Sequence, residues 1–387
     1  KELSDEEKRA QHKESFKEFD AKVREILTEE QYSKLREIRR QKSRPNKNRV
    51  DIGKEYPCYI IAEIGVNHNG KLSLAKKLID ASIESGVNAV KFQKRDLKSL
   101  YRKESLENPN SESQGFEILL AELQEVELTK NDYIEIIDYC KKKKITFLCT
   151  PWDMPSVDFL EELDIAAYKI SSGDMTNFPL IKYVSKTRKP MIISTGMSKI
   201  EEIEKMVSFV KEQNIPFVIL HANSTYPSPI ESLDLNLIPE FRKKFDLLVG
   251  FSGHEIGIIG SITAANMGAV IIERHITLDK TMKGLDHSSS LEPNEFKEMV
   301  SLIRLSEKAK GKPIKKMTRA EVLQREVVSK SIVCVLDICK DEIFSDKNIE
   351  AKGPEKGLSA QYFFDIIGKK SPRDIKCGEY VLEEDMN

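Results

Sequence analysis

The 387-residue sequence holds a single tryptophan, Trp152, and no apolar run approaching the roughly 20 residues that a membrane-spanning helix requires. No membrane partner is therefore expected. Charge of one sign is equally scarce in excess: 62 basic residues meet 63 acidic ones, a net charge of -1, so no global field draws the chain to nucleic acid. Cysteine is sparse. Cys58, Cys140, Cys149, Cys334, Cys339 and Cys377 are scattered without a CxxC pair, which argues against a zinc or redox couple and for reduced thiols in a cytoplasmic protein. Histidine is equally rare, at six residues. What the chain does have is 40% hydrophobic residues, enough for the core of one large domain and a small one.

Residues 1–50 are charged, poor in apolar residues and without glycine. Phe16, Phe19, Val23, Ile26 and Leu27, then Leu35 and Ile38, recur at helical spacing, which predicts a helical extension followed by a basic linker. From Tyr59 the texture changes to short β-branched runs that alternate with helical patterns. The runs are Tyr59–Gly65, Ala89–Gln93, Ile145–Thr150, Ala167–Ser172, Met191–Gly196, Phe217–His221, Leu247–Ser252 and Val270–His275. Helical periodicity fills Leu72–Ser85, Lys130–Lys143, Ser198–Gln213 and Asn294–Lys310. Eight strands alternating with helices predict a (β/α)8 TIM barrel over residues 51–315. An open doubly wound sheet shares the alternation, but it would gather its polar residues at one or two crevices. Residues 316–387, with short strands around one helical turn, form a small α+β domain.

The polar residues of the eight runs lie at their C-terminal ends, where such barrels hold their active sites. Glu63 lies inside the first run, just ahead of Asn67, His68 and the turn-forming Asn69-Gly70. Lys91 and Lys169 each interrupt an apolar strand and must meet an anion, an ion-pair partner or, as Schiff-base lysines, a carbonyl. Ser172, Ser194, Thr195 and Ser252, with Gly173 and Gly196 freeing backbone amides, add neutral donors suited to phosphate and carboxylate. His254 lies two residues past the seventh run and His275 ends the eighth, and a barrel makes those runs neighbours. Two adjacent imidazoles with open positions suit a divalent metal such as Mn²⁺ or Mg²⁺, the alternative being two hydrogen-bonded core histidines.

Several of these stretches resemble a known family. Glu63-Ile-Gly-Val-Asn-His68, Lys91-Phe-Gln93, Lys169-Ile-Ser-Ser-Gly-Asp174, Ser194-Thr-Gly-Met197, Gly250-Phe-Ser-Gly-His-Glu255 and Glu273-Arg-His-Ile-Thr-Leu-Asp-Lys280 are similar to motifs of the N-acetylneuraminate (sialic acid) synthase family. The likeness runs from about Tyr59 to the C-terminus, where residues 316–387 resemble the antifreeze-like (SAF) domain of those enzymes.

The resemblance implies a metal-dependent condensation of phosphoenolpyruvate with a mannose-derived sugar. It implies that Lys91, Thr150, Lys169, Ser172, Ser194 and Ser252 hold phosphoenolpyruvate, with Ser224 a further substrate contact. Gln93, Asp174 and Tyr226 would touch the sugar, Glu63 and Asp286 would handle protons, and His254 and His275 would hold the metal. A domain-swapped homodimer also follows from it. Lys352-Gly353-Pro354 stands where bacterial members often have Lys-Arg-Pro-Gly, and this stretch, with Lys280–Ser288, looks more like the animal-type synthases. The expected sugar is thus N-acetylmannosamine 6-phosphate or mannose 6-phosphate, with Lys283 as a phosphate contact. The alternatives are a synthase using an unphosphorylated sugar, of the N-acetylneuraminate, legionaminate or pseudaminate type, and a non-catalytic sugar- or ice-binding module, which would need neither lysine cradle nor histidine pair.

Overall fold

The computed structural model describes residues 52–53 and 55–386; the helical extension expected over residues 1–50 lies outside them. The chain divides into two compact units between Lys310 and Gly311.

In the first unit all eight expected runs become strands: β1 (Tyr59–Gly65), β2 (Ala89–Lys94), β3 (Thr146–Pro151), β4 (Tyr168–Ile170), β5 (Met191–Ser194), β6 (Phe217–Ala222), β7 (Val249–Gly253) and β8 (Ile271–His275). They pair in sequence order and close into a parallel barrel. β4 is shorter than the pattern suggests because the chain turns at Ser171, whose hydroxyl accepts from the Asp174 amide at 3.1 Å and donates to Asp174 Oδ2 at 2.9 Å. The β2–β3 connection is longer than expected and carries helices at Leu97–Leu100, Lys103–Glu107 and Phe116–Val126 before the anticipated Lys130–Lys143 helix. That last helix is held at both ends by local chemistry. Thr129 and Asp132 form a reciprocal capping box, and three lysines occupy the final turn, where the helix dipole favours cations.

The periodicity of two along each strand separates the barrel's outside from its inside. Outward residues such as Ile60, Ile64, Val90, Phe92, Tyr168 and Ile193 bury fully against the surrounding helices, each contributing roughly 1.5–3 kcal/mol. Inward residues change character along the axis. Tyr59, Ile61, Ala89, Leu148, Ile192, Leu220 and Ile271 pack the N-terminal half of the interior. One inward step later come Glu63, Lys91, Thr150, Ser194 and Glu273, all buried. The same alternation that builds the core therefore delivers a layer of polar side chains to the C-terminal half.

The second unit pairs β9 (Ser331–Cys334) antiparallel with β10 (Ile349–Lys352), a strand the sequence pattern did not predict. Single bridges such as Val333 to Tyr380 and Ile338 to Ile375 add the later segments. Ile332, Ile338, Phe344, Ile349, Leu358, Ile366, Ile375 and Val381 form its core. Of the cysteines, Cys58, Cys140, Cys149 and Cys334 are buried, whereas Cys339 and Cys377 are exposed. Burial pushes the Cys58 and Cys140 thiols up to about 12. Among the described residues no helix is long and apolar enough to cross a membrane.

Candidate active site

Register brings the central charges together. Glu63 pairs across β1 with Lys91 of β2 on one side and with His275 of β8 on the other. Lys91 Nζ lies 2.8 Å from Glu63 Oε2, donates to Thr150 Oγ1 at 3.1 Å and stands 3.6 Å from Glu273 Oε1. Lys169 Nζ donates to Ser194 Oγ at 2.7 Å and lies 3.8 Å from the same Glu273 oxygen, which also accepts from Ser252 Oγ at 3.1 Å. Glu273 is thus the hub on which both lysines converge. Sequence reading quoted it only as part of a motif; its signal was a carboxylate two residues before His275 inside a buried strand.

The two carboxylates are driven apart electrostatically. Burial raises the Glu63 carboxyl above its ordinary value, with Lys91 opposing. Burial acts on Glu273 as well, but Lys169 and Lys91 together outweigh it and hold that carboxyl below its ordinary value. Burial brings the Lys169 ammonium down to about 8, Glu273 partly offsetting the effect.

The hydroxyls form an arc beside the lysines. Ser172 Oγ accepts from the Gly196 amide at 3.1 Å. A methyl group at Gly196 would collide with Ser224 Oγ and come within 2.8 Å of Ser172 Oγ, so glycine there lets two strand-end hydroxyls approach one backbone. Lys91, Thr150, Lys169, Ser194, Ser252 and Glu273 thus form one network in the barrel interior, and Ser172 and Ser224 flank Gly196 just past the end of β5.

On the other side stand His254 and His275, their ring centroids 5.7 Å apart, with the Tyr226 ring 4.1 Å from that of His254 and 6.0 Å from that of His275. His254 Nδ1 donates to the Asn223 carbonyl at 2.7 Å, which leaves Nε2 with its lone pair. Burial and the neighbouring His275 push the His254 imidazole down to about 3, so the ring is neutral near pH 7. His275 Nδ1 is buried without a hydrogen-bond partner, and Asp286 Oδ2 lies 3.6 Å from it. Two neighbouring imidazoles, one oriented by a backbone carbonyl and one with an unpartnered nitrogen, fit a divalent cation. No group of three or more His, Cys, Asp or Glu side chains is set for a metal among the described residues, so the protein would supply few ligands and leave positions open.

The remaining expected residues are placed more peripherally. Gln93 Nε2 donates to Glu63 Oε1 at 2.9 Å, while its Oε1 accepts from Arg95, a buried residue stacked 5.2 Å from the Trp152 ring. Sequence reading missed Arg95, which continues the inward spacing of Lys91 and Gln93. Both Asp174 oxygens are engaged within the β4 loop, by Ser171 and by Asn177 at 3.0 Å. Lys283 is exposed and lines a cavity of about 240 Å³ with Asn69, Lys71, Glu122 and Glu125. His68 and His287 make local hydrogen bonds: His68 Nδ1 accepts from the Gly70 amide at 3.2 Å, and His287 bridges Thr277 and Asn69. A carboxylate–lysine cluster bordered by hydroxyls can hold a phosphorylated acid, and the imidazole pair beside it can activate a carbonyl.

The NeuB family model matches residues 78–315. An N,N'-diacetyllegionaminic acid synthase of Campylobacter jejuni is 41% identical over 84% of this chain and 98% of its own length. The human N-acetylneuraminate-9-phosphate synthase is 37% identical over 86% of this chain and 94% of its own. Among solved structures, a sialic acid synthetase of Leptospira borgpetersenii, crystallised with citrate, superposes with a TM-score of 0.63 at 31% identity, covering 71% of this chain and 92% of that one.

Proposed function

The chain belongs to the NeuB family and is an enzyme of the sialic acid synthase type, and from that premise we propose that it condenses phosphoenolpyruvate with N-acetylmannosamine 6-phosphate or mannose 6-phosphate. The products are the nonulosonic acid 9-phosphate and inorganic phosphate. The observation that carries the proposal is the convergence of Lys91 and Lys169 on Glu273, with Thr150, Ser194 and Ser252 around them, beside the paired imidazoles of His254 and His275.

In this reading the two lysines and the hydroxyl arc hold the phosphate and carboxylate of phosphoenolpyruvate. Its methylene carbon forms the new bond to the sugar aldehyde, and water then adds to the cationic carbon left behind. Loss of phosphate from that tetrahedral carbon generates the 2-oxo acid. Glu63, whose carboxyl burial makes more basic, and Asp286, beside His275, are placed to take the proton of the attacking water and to supply the one that the new alkoxide needs. Tyr226 packs against the imidazoles, where the aldehyde end of the sugar would lie. A Mn²⁺ or Mg²⁺ ion held by His254 and His275 would supply Lewis-acid polarisation of that aldehyde. The residues 316–387 would be the antifreeze-like domain, serving the partner's barrel in a homodimer.

The sugar's phosphate is supported by the likeness of Lys280–Ser288 and Gly353 to the animal type and by Lys283 and Lys71, which line one cavity together with Glu122 and Glu125. A second reading, an unphosphorylated sugar of the legionaminate kind, is favoured by the name of the 41% identical relative. Phosphate release from phosphoenolpyruvate, measured with each candidate sugar and its 6-phosphate, separates the two. Efficient turnover of N-acetylmannosamine but not its 6-phosphate would sink the first.

A further inference from the structure

The polar network around the imidazole pair does not end at the barrel interior. On β8 the inward residues are Glu273 and His275, and Arg274 between them points out through the barrel wall, as does Glu255, the neighbour of His254 just beyond β7. These two outward residues meet. Arg274 Nη1 donates to Glu255 Oε1 at 2.6 Å, and neither side chain has any solvent exposure.

The guanidinium grips more than a carboxylate. Nη2 donates to the Glu255 carbonyl, and Nη1 donates to the Gly257 carbonyl and to Ser261 Oγ, both at 2.9 Å. Ser261 in turn donates to Glu255 Oε1 through its amide at 3.1 Å and its hydroxyl at 2.9 Å, tying in the first turn of the Ile259–Asn266 helix. The main chain after His254 is therefore held from β8, while the Ser228 amide donates to the His254 carbonyl at 3.0 Å from the opposite side.

Two glycines make room for this arrangement. Gly253 pairs in register with Arg274, and a methyl group there would collide with Glu255 Oε2 and come within 3.0 Å of Arg274 Cδ. A methyl group at Gly260 would lie 2.9 Å from Glu255 Oε1. A fully buried ion pair is a poor source of stability, because desolvation offsets most of its attraction; it is better suited to fixing geometry. Glu255 Oε2 and Arg274 Nε have no protein partner, so the pair is held through Glu255 Oε1, the Glu255 and Gly257 carbonyls and Ser261.

We propose that Glu255 and Arg274 are positioning residues that lock the spacing of His254 and His275 from outside the barrel, each acting through the imidazole next to it in sequence. The proposal rests on the reading of those imidazoles as a divalent-cation site. A rigid brace of this kind governs affinity for the ion more than the chemistry that follows.

The test titrates MnCl2 into the wild-type chain, Arg274→Lys and Glu255→Gln, following free Mn²⁺ by its paramagnetic resonance signal, with melting temperature and turnover at saturating Mn²⁺ in parallel. The expected result is a Kd raised roughly 10- to 100-fold in each variant, with most of kcat returning at saturating ion. Folded variants that bind Mn²⁺ as the wild type does would overturn the proposal and leave the pair a structural element only. So would the loss of folding in both variants. If the wild-type chain itself binds no Mn²⁺, the cation site fails first and the brace with it, an outcome seen in the wild-type titration alone.

Discussion

Glu63 and Lys91 face each other in register on adjacent strands, with Oε2 and Nζ 2.8 Å apart and both side chains buried. Each holds the other's charge in a place where water cannot.

Removing one partner should therefore be asymmetric. Lys91→Met leaves two buried carboxylates, Glu63 and Glu273, near each other and should cost about 3–5 kcal/mol in urea unfolding. Glu63→Gln keeps the shape and removes the base, while Lys91 keeps Glu273 as a second carboxylate 3.6 Å away. It should lower kcat by roughly 10²–10⁴ while the KM for phosphoenolpyruvate moves about threefold or less. A large KM effect with unchanged kcat would make Glu63 a binding group instead.

The Lys169 ammonium, brought down to about 8 by burial, gives the enzyme an alkaline limb. In the proposed reading this cation holds the anionic substrate, and it is lost as pH rises through that value. kcat/KM for phosphoenolpyruvate should thus be level near pH 7 and fall above about 8, approaching tenfold per unit. Glu273 opposes the downward shift of Lys169, so Glu273→Gln should move the limb to lower pH. A limb that stays in place in that variant would assign it to another group.

Gly196→Ala places a methyl group against Ser224 and Ser172 at the hydroxyl arc. The expected outcome is a KM for phosphoenolpyruvate raised about tenfold or more with a melting temperature within about 3 °C of the wild type, since the collision is with side chains at the site and not with the packed wall. Equal affinity would show that the arc lies outside the phosphoenolpyruvate subsite.

Chelation should abolish phosphate release, and Mn²⁺ should restore it to the wild type but not to His275→Ala, whose circular dichroism should be unchanged. Retained turnover in that variant would remove His275 from the reaction.

Much of this was legible in the sequence because the barrel repeats one simple rule. Short β-branched runs announced each strand, and the polar residues toward their C-terminal ends, such as Glu63, Lys91, Thr150, Ser194 and His275, showed on which face the site lies. The length of β4 was not legible, because a side-chain bond from Ser171 to Asp174 decides it. Nor was the hub role of Glu273, which depends on Lys91 and Lys169 arriving from strands that are distant in sequence. Arg274 and Glu255 could be read as motif letters but not as partners, since only the register of β7 with β8 brings them together.

The distribution of thiols has a practical consequence. Only Cys339 and Cys377 are exposed, both in the second unit, while the barrel's cysteines are buried and Cys58 and Cys140 resist ionisation up to about 12. A maleimide dye at neutral pH should therefore enter the second unit alone. The chain's one tryptophan, Trp152, stands just past the C-terminal end of β3 beside Arg95. Trp152 as donor and a dye on Cys339 or Cys377 as acceptor thus mark one unit each, so energy transfer between them can be followed as each substrate is added.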